Sequence, residues 1–258
     1  MRKLHFEYKM DLEFESPVGN HYYTLMGIPK NTFTQQIYSL EYDINPMECS
    51  YINKDVFENI NLIGNIEKKH SYLKFYVSGI AFIGVNYKTQ ILNNIYRYSS
   101  KYTQYTKSIM EFCNDYESCN LENPFDRAIY LMNKLYNKLE YKKGVTNTNT
   151  SAGEALDLGC GVCQDYSHIL IALCRYNNIP ARYVVGFMVG EGATHAWVEV
   201  YCDGYWLQLD PTHNKIVDDS YIKVAHGRDY NDCIIDKGIF IGNTKQTQRV
   251  YVNVQDIT

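Results

Sequence analysis

The first 88 residues alternate between hydrophobic and polar positions, and this period of two is typical of half-buried strands. The alternation is regular from His5 to Phe14 and less regular from Gln36 to Ile44. Turn-forming residues separate the alternating stretches, namely Gly27, Pro29, Pro46, Gly64 and Gly79. The pattern predicts an antiparallel β domain over residues 1–88.

Beyond residue 88 the apolar positions follow the helical period. The clearest helix starts at Asn123-Pro124 and extends to Tyr141, with Phe125, Ile129, Met132, Leu135, Tyr136 and Leu139 on one stripe. Ser151 and Glu154 form a capping-box signal for a short helix that ends near Gly159. A further helix starts near Cys163, carries an apolar stripe and stops at Asn177-Asn178-Ile179-Pro180. We expect the Pro124 helix to pack beside the Cys163 helix.

A strand from Arg182 to Val189 and then a β-hairpin are predicted next. His195 to Cys202 alternates, Asp203-Gly204 is a turn signal, and Tyr205 to Asp210 alternates back. A two-residue turn pairs Cys202 with Tyr205, Val200 with Leu207, and Trp197 with Asp210. His195 and Asp210 then lie on one face as diagonal neighbours, roughly 7–8 Å apart between backbones. A slip of one residue would put these two side chains on opposite faces.

Composition places the chain among ordinary globular proteins: 258 residues, 45% hydrophobic and 21% charged. The net charge of -4 and the lack of a nucleic-acid motif argue against a nucleic-acid partner. Met1 to Glu7 has no apolar central region, and the apolar runs are far shorter than a membrane span. We therefore expect a cytoplasmic protein without a membrane partner. Its eight cysteines are expected to be mostly reduced thiols rather than a disulfide framework, because no secretory signal accompanies them.

Cys163 is the candidate nucleophile because it lies in the first turn of a predicted helix. The helix dipole and the unpaired backbone N–H groups there favour a thiolate. Cys174, on the apolar stripe of the same helix, is expected in the core. A cysteine nucleophile needs a base and a group that orients the base. His195 and Asp210 meet this need, since the predicted register puts them side by side at the edge where Pro211 ends the ladder.

Three short blocks that carry these residues resemble, when taken together, the transglutaminase-like superfamily. The blocks are Gly161-Val162-Cys163-Gln164-Asp165, His195-Ala196-Trp197-Val198-Glu199 and Leu209-Asp210-Pro211-Thr212. In that superfamily a triad of Cys, His and Asp follows this order on a papain-like core. Cys160 departs from the pattern, because a polar or basic residue is expected before Gly161.

The resemblance extends over most of the chain. Val224 to Tyr230 and Arg249 to Val254 are similar to the tail of a bacterial branch whose members are described as candidate cysteine proteases. Leu62 to Asn65 and Tyr72 to Val77 resemble the amino-terminal β domain of that branch. The resemblance implies an α+β fold, with an amino-terminal antiparallel β domain over residues 1–88. A papain-like, transglutaminase-like catalytic domain then covers residues 89–258 and includes carboxy-terminal strands.

Other residues near these blocks have plainer interpretations. His168 is expected to be structural, because a side chain five positions after Cys163 does not face it on a helix. His213 is interpreted as a loop residue. Trp197 shields the ion pair from water, lines the acyl site or simply packs in the core, and Glu199 is expected to pair with a lysine or an arginine. Arg228-Asp229 is either a buried turn pair or a rim contact for substrate.

Cys160 and Cys163 also form a C-x-x-C motif, which raises a competing hypothesis of a thiol oxidoreductase. A thioredoxin-like setting needs a strand leading into the motif, whereas Ala152 to Leu158 has a helical pattern. A structural zinc site is less favoured, because no second C-x-x-C or paired histidine spacing accompanies the motif. A catalytically silent binding module on the same fold is the remaining alternative.

The sequence therefore predicts acyl transfer from an amide through a thioester. Cys163 would attack, His195 would act as the base, Asp210 would orient the imidazole, and the Cys163 N–H would serve as an oxyanion donor. The expected partner is a peptide or protein substrate that supplies the amide. We expect no metal and no organic cofactor. Hydrolysis by a peptidase or amidase is preferred on the resemblance, and transfer to a lysine amine by a transglutaminase is the alternative.

Overall fold

A computed structural model of the chain describes residues 1–84, 88–114 and 121–258 and has a mixed α+β fold. The α-helices are α1 (Lys107–Asn114), α2 (Pro124–Lys138), α3 (Ala152–Leu158) and α4 (Cys163–Tyr176), and short 3₁₀ helices span Asn94–Arg97 and Tyr230–Asp232. The strands are β1 (Arg2–Leu25), β2 (Gln35–Asn45), β3 (Cys49–Lys54), β4 (Ile60–Ile66), β5 (His70–Ile83), β6 (Glu140–Tyr141), β7 (Cys160–Gly161), β8 (Ala181–Met188), β9 (Gly190–Gly192), β10 (His195–Cys202), β11 (Tyr205–Asp210), β12 (Lys215–Ile216), β13 (Tyr221–Gly227), β14 (Asp236–Ile241) and β15 (Gln246–Asp256).

The long strand β1 organises the larger sheet. It pairs antiparallel with β5 and β15 over its first half and with β4 and β14 over its second half. The predicted antiparallel sheet of the amino-terminal segment is therefore present. The two carboxy-terminal strands also belong to this sheet, since β14 and β15 both pair with β1. The domain boundary near residue 88 stays a prediction.

The smaller sheet has the strand order β12-β11-β10-β8-β13 and contains the predicted hairpin. Asp203 and Gly204 form its two-residue turn with φ values of 50° and 91°, the left-handed region that such turns require. Cys202 pairs with Tyr205 and Val200 with Leu207, as predicted. The register places His195 and Asp210 on the same face of the sheet.

The helices begin where their capping residues predict. Asn123 caps α2 with its side-chain oxygen, and Ser151 and Glu154 form the predicted capping box of α3. Helix α2 ends at Lys138 rather than at the predicted Tyr141, because Glu140 and Tyr141 pair as a short strand with Cys160 and Gly161. Helices α2 and α3 both contact α4, which agrees with the predicted packing.

The two faces of the smaller sheet differ in chemistry. Ala196, Val198 and Val200 of β10 are buried in the main core, which also includes the apolar residues of α4. The alternate residues of β10 point to the other face and are His195, Trp197 and Glu199. We call this second surface the polar face. It carries the candidate site at one end and a group of charged side chains at the other.

Two side-chain amides attach the amino-terminal segment to the edge strand β13. The Gln35 amide accepts from the Lys223 N–H at 2.8 Å and donates to the Lys223 carbonyl at 2.7 Å. The Asn59 amide binds the backbone of His226 in the same way, at 3.0 and 2.8 Å. Backbone groups of an edge strand need partners, and the two amides supply them as a neighbouring strand would. Among the described residues, no helix has both the length and the apolar character needed to cross a membrane.

Candidate active site

Cys163 is the first residue of α4 and is partly exposed. The preceding residue, Val162, is extended, and its N–H donates to Asp165 Oδ2 at 2.8 Å. The Thr146 hydroxyl donates to the same oxygen at 2.7 Å. Burial raises the pKa of Asp165, although both hydrogen bonds favour its charged form. Asp165 therefore fixes the backbone that presents the Cys163 thiol.

Gly161 allows this arrangement, because a side chain there would collide with Asp165. A Cβ atom added at Gly161 would lie 2.7 Å from the Asp165 Cβ and 2.7 Å from its Oδ2. Real Cβ atoms do not approach other heavy atoms so closely, so the aspartate would have to move. Gly161 and Asp165, the first and last residues of this five-residue block, therefore pack directly against each other next to Cys163.

His195 connects the other two residues of the predicted triad. Its Nε2 lies 2.7 Å from Asp210 Oδ2, and the Cys163 thiol lies close enough to the same imidazole to raise its pKa. Since Asp210 occupies Nε2, the ring nitrogen left for the thiol is Nδ1. The structure therefore brings together Cys163, His195 and Asp210, which we call the candidate triad.

Asp210 is completely buried at the end of β11 and accepts several hydrogen bonds. Its Oδ2 accepts from the Tyr221 hydroxyl at 2.7 Å and lies 2.7 Å from Nδ1 of His213, in addition to its contact with His195. Its Oδ1 accepts from the N–H groups of Thr212 and His213 at 2.9 and 3.2 Å. A carboxylate with this many donors is held in one orientation and stays ionised.

The electrostatics of the candidate triad favour an imidazolium. Burial lowers the pKa of His195, but hydrogen bonds and charge interactions with Asp210 and Cys163 outweigh burial and raise it to about 9. For Asp210, burial acts to raise the pKa, and the donors around it, His195 first, hold it well below the usual range. The pair is therefore a charged one at neutral pH, with the positive charge next to the thiol.

A small apolar cluster covers the imidazole on the polar face. Trp197 stacks on His195 with ring centroids 6.3 Å apart, and Tyr221 meets Trp197 edge-on at 5.4 Å. Trp197 is fully buried and donates its indole N–H to Gln208 Oε1 at 3.0 Å. It lies close to Gly186 of β8, where an added Cβ would come within 2.6 Å of the indole. The predicted packing role of Trp197 is therefore confirmed, and its ring also lies against that of His195.

Several other sequence predictions can be compared with the structure. His168 lies in the core, where its Nε2 accepts the Tyr230 N–H at 3.0 Å, so it is structural as expected. Cys174 is buried, as predicted. Glu199 pairs with Arg182 and Lys223, which confirms the expected ion pair. Arg228 pairs with Asp232 rather than with Asp229, which instead caps the 3₁₀ helix Tyr230–Asp232.

The C-x-x-C motif has surroundings that differ from a thioredoxin-like setting. Helix α3 precedes the motif, as the sequence predicts, and Gly159 in a left-handed conformation (φ 68°) ends it. Cys160 then pairs with Glu140 in a parallel strand pair of only two residues on each side. The motif is thus not preceded by a long buried strand of a βαβ unit.

His195, Asp210 and His213 offer ligand atoms that lie within 4.8 Å of one another, and this arrangement can hold a divalent transition metal. Two of the three ligands belong to the candidate triad. A metal ion bound there would displace the hydrogen bonds that join His195 and His213 to Asp210 Oδ2.

Three residues that contact or support the candidate triad have no such role predicted from the sequence. The sequence predicts a loop residue at His213, whose ring contacts Asp210; the spacing of three residues is the local signal for this contact. Asp165 belongs to one of the three sequence blocks, but its spacing does not indicate its role. Tyr221 had no local signal, because it reaches Asp210 from β13, with β8 and β10 between the two strands.

Comparisons with known proteins agree with this geometry. Residues 113–211 match the transglutaminase-like superfamily, and this range contains the whole candidate triad. An uncharacterised protein of Mycobacterium leprae is 37% identical over 127 residues, which cover 45% of this chain and 45% of the relative. One from Mycobacterium tuberculosis is 36% identical over 133 residues, which cover 45% of this chain and 42% of the relative. The chain thus spans less than half the length of these curated relatives.

A solved structure shows the same fold over the whole chain. A protein from Cytophaga hutchinsonii, named as a candidate cysteine protease, superposes with a TM-score of 0.84 at 22% identity, covering 100% of this chain and 91% of its own. At this level of identity the likeness concerns the fold. The sequence match over residues 113–211 therefore assigns that part of the chain to the transglutaminase-like superfamily, within a fold shared with the Cytophaga hutchinsonii protein.

Proposed function

We propose that the protein is a cysteine-dependent acyl-transfer enzyme that cleaves amide bonds, with Cys163 as nucleophile, His195 as acid and base, and Asp210 as the group that orients His195. The observation that carries the proposal is the single imidazole that is hydrogen-bonded to the Asp210 carboxylate and interacts with the Cys163 thiol. An ion pair of thiolate and imidazolium is the activated form of such a cysteine.

The first half of the reaction forms a thioester. The Cys163 thiolate attacks the carbonyl carbon of the amide, and the negative charge moves to the carbonyl oxygen. The C–N bond then breaks, and the imidazolium of His195 gives its Nδ1 proton to the departing amine. Asp210 keeps the other ring nitrogen, Nε2, protonated throughout. The Cys163 N–H, in the first turn of α4, is the proposed oxyanion donor.

The second half of the reaction releases the acyl group. The now neutral His195 removes a proton from water, the resulting hydroxide attacks the thioester carbonyl, and Cys163 leaves as a thiolate with the imidazolium restored. The products are an amine and a carboxylic acid. Hydrolysis is supported by the likeness to the Cytophaga hutchinsonii protein named as a candidate cysteine protease. A primary amine in place of water would instead make a new amide, as in a transglutaminase.

Intact-protein mass spectrometry tests the proposal. The protein is mixed with a library of peptide amides that includes glutamine-containing members, and the reaction is stopped in acid within seconds. An acyl adduct on Cys163 is expected in the wild type and not in Cys163→Ala. An adduct that persists in Cys163→Ala, or product formation by that variant, would contradict the proposed nucleophile.

The same reaction with an added fluorescent primary amine reports the acceptor. A free carboxylic acid as the main product, with the amine present in excess over the enzyme, is expected for a peptidase or amidase. Incorporation of the amine as the main outcome would support the transglutaminase alternative and leave the thioester chemistry unchanged.

A further inference from the structure

A cavity lies away from the candidate triad, between the polar face of the smaller sheet and the amino-terminal segment. Its volume is about 730 Å³, within the range of small-molecule sites. Residues 30–34 and 54–60 form one wall, and strands β8, β10, β11 and β13 form the other. The Gln35 and Asn59 amides described above bind β13 beside the cavity and hold its two walls together.

Positive charge is concentrated in this cavity around one carboxylate. Glu199 Oε2 accepts from Arg182 Nε and from Lys223 Nζ, the latter at 2.7 Å, and all three side chains are buried. Two cations therefore share a single anion. Lys54 and Glu58, which also line the cavity, pair with each other at 3.0 Å on its exposed rim.

Lys30 adds a third cation at the wall opposite the sheet. Its ammonium donates to the Phe57 carbonyl at 3.0 Å and to Asn59 Oδ1 at 3.3 Å, and both of these acceptors are neutral. Burial, with the nearby charge of Arg182, lowers the pKa of Lys30 to about 8, although the charges of Asp55, Glu199 and Glu58 act in the opposite direction. For Lys223, burial and the same guanidinium lower the pKa to about 7. The cations are thus close enough to repel one another, and an anion between them would relieve that repulsion.

His226 offers a hydrogen-bonding atom that has no partner among the described residues. The ring lines the cavity, and its buried Nδ1 makes no hydrogen bond there. Burial, with the charges of Lys223 and Arg182, holds the pKa of His226 well below its usual range, so the ring is neutral. A buried polar atom without a partner is costly, and a ligand in the cavity could satisfy it.

Aromatic side chains beside the cations suit an organic ligand rather than a bare ion. The Arg182 guanidinium lies 3.9 Å from the centroid of the Trp206 ring, which fixes the cation against the cavity wall. Phe33 and Phe57 supply apolar surface on the opposite wall.

We propose that this cavity is a binding site for a small organic anion, whose carboxylate or phosphate group lies among Lys30, Arg182 and Lys223 and whose apolar part contacts the aromatic walls. The site is distinct from the candidate triad, and the proposal does not depend on the acyl-transfer reaction. Trp197 separates the two places, since its ring stacks on His195 while its N–H binds Gln208, which lines the cavity.

Calorimetric titration of the full chain tests the site with probes of matched shape. Phenylacetate carries a carboxylate, phenyl phosphate carries a phosphate, and benzyl alcohol is the uncharged control. We expect saturable binding of at least one anion in the millimolar range or below, and no measurable binding of benzyl alcohol. The tighter of the two anions identifies the charged group of the natural ligand. Binding should persist in Cys163→Ala, because that residue is not part of the cavity.

Substitutions of the three lysines locate the bound anion. Lys30→Met and Lys223→Met should each weaken binding by about ten-fold or more, because each removes a charged donor from the cavity. Lys54→Met is the matched control and should change the affinity little, since this lysine is exposed on the rim and paired with Glu58. Unchanged binding in both Lys30→Met and Lys223→Met would overturn the proposal, as would the absence of saturable binding by either anion.

Glu199→Gln provides a test that does not require either lysine variant to fold. This change leaves Arg182 and Lys223 without their carboxylate, so the Tm should fall. The anion that binds the wild type should then raise the Tm of Glu199→Gln by more than it raises that of the wild type. An equal or smaller shift in the variant would mean that the bound anion does not lie among these cations, and would contradict the proposal.

Discussion

His195 and Asp210 are 15 positions apart in the chain, and the β10–β11 hairpin brings His195 Nε2 within 2.7 Å of Asp210 Oδ2. The two-residue turn at Asp203 and Gly204 sets this distance, because it determines which residues of the two strands lie opposite each other. The imidazole is therefore held from one side by the sheet itself. Its other nitrogen is directed to the Cys163 thiol, which α4 supplies.

Cys163 should be the thiol that reacts fastest with a slow alkylating reagent at neutral pH. It is partly exposed beside an imidazolium, whereas Cys113, Cys174, Cys202 and Cys233 are buried. Burial raises the pKa of Cys113 and of Cys202 to about 11, so these thiols stay protonated. Peptide mapping after timed alkylation measures the order in which the cysteines react. Faster labelling of Cys160, or of the exposed Cys49, would contradict the assignment of Cys163 as the nucleophile. Cys119 lies outside the described residues.

The imidazole of His195 should titrate near pH 9 in the folded protein, where it is held by Asp210 and Cys163. A raised pKa in the folded state stabilises the protein fully below the unfolded value of about 6.5, and that contribution is lost as the pH rises through about 9. Histidine NMR titration measures the pKa directly. Asp210→Asn should lower it, and urea unfolding should show a smaller loss of stability between pH 6.5 and 9 in His195→Gln than in the wild type. A wild-type midpoint near 6.5 would be inconsistent with the ion pair.

Asp210→Asn should slow acylation by roughly 10–10³-fold while leaving the fold intact, because the amide offers the wrong partner to the Nε2–H of His195. A cysteine nucleophile depends less on its base than a serine does, so the loss should be smaller than in a serine triad. His195→Ala should be slower still, since it also removes the proton donor for the leaving amine. Single-turnover acylation measures both rates. In both variants, the pH profile of Cys163 alkylation should move to higher pH than in the wild type. Profiles unchanged in both variants would show that the three residues do not act as one site.

Cys160→Ser should retain acyl-transfer activity in the presence of a strong reductant. The thioester chemistry uses a single thiol, whereas a C-x-x-C oxidoreductase needs both. The test compares the activity of the wild type and of Cys160→Ser on a peptide amide, each in excess dithiothreitol. Cys163→Ala is the inactive control. Complete loss of activity in Cys160→Ser under these conditions would favour the oxidoreductase hypothesis.

Gly161→Ala should destabilise the protein by about 1–3 kcal/mol, because the new Cβ meets Asp165 in a tightly packed place. The aspartate would have to move from the Val162 N–H, so the reactivity of Cys163 should also fall. Gly192→Ala is a matched control, since an added Cβ there has no atom within 4 Å. Urea unfolding and the alkylation rate of Cys163 measure the two effects. Equal stability of the two variants would show that the close approach of Gly161 and Asp165 is not required.

The sequence alone was sufficient to predict those features that depend on local interactions. The period of two and the Asp203-Gly204 turn predicted the register that puts His195 and Asp210 on one face. The capping box of Ser151 and Glu154 predicted the start of α3, and the helical period predicted that Cys163 begins a helix while Cys174 lies in the core. Such features depend on residues that are near each other in the chain, so the sequence pattern predicts them.

Contacts between residues distant in the chain were decided by the tertiary structure. Nothing near Tyr221 indicates that its hydroxyl binds Asp210, because the order of strands in the sheet determines that contact. The sequence predicts that Glu199 pairs with a cation, but the pairing of β8, β10 and β13 determines that Arg182 and Lys223 share it. Hydrophobic periodicity specifies which face of a strand is buried and leaves open which strand lies beside it, since any apolar surface of suitable shape can cover that face.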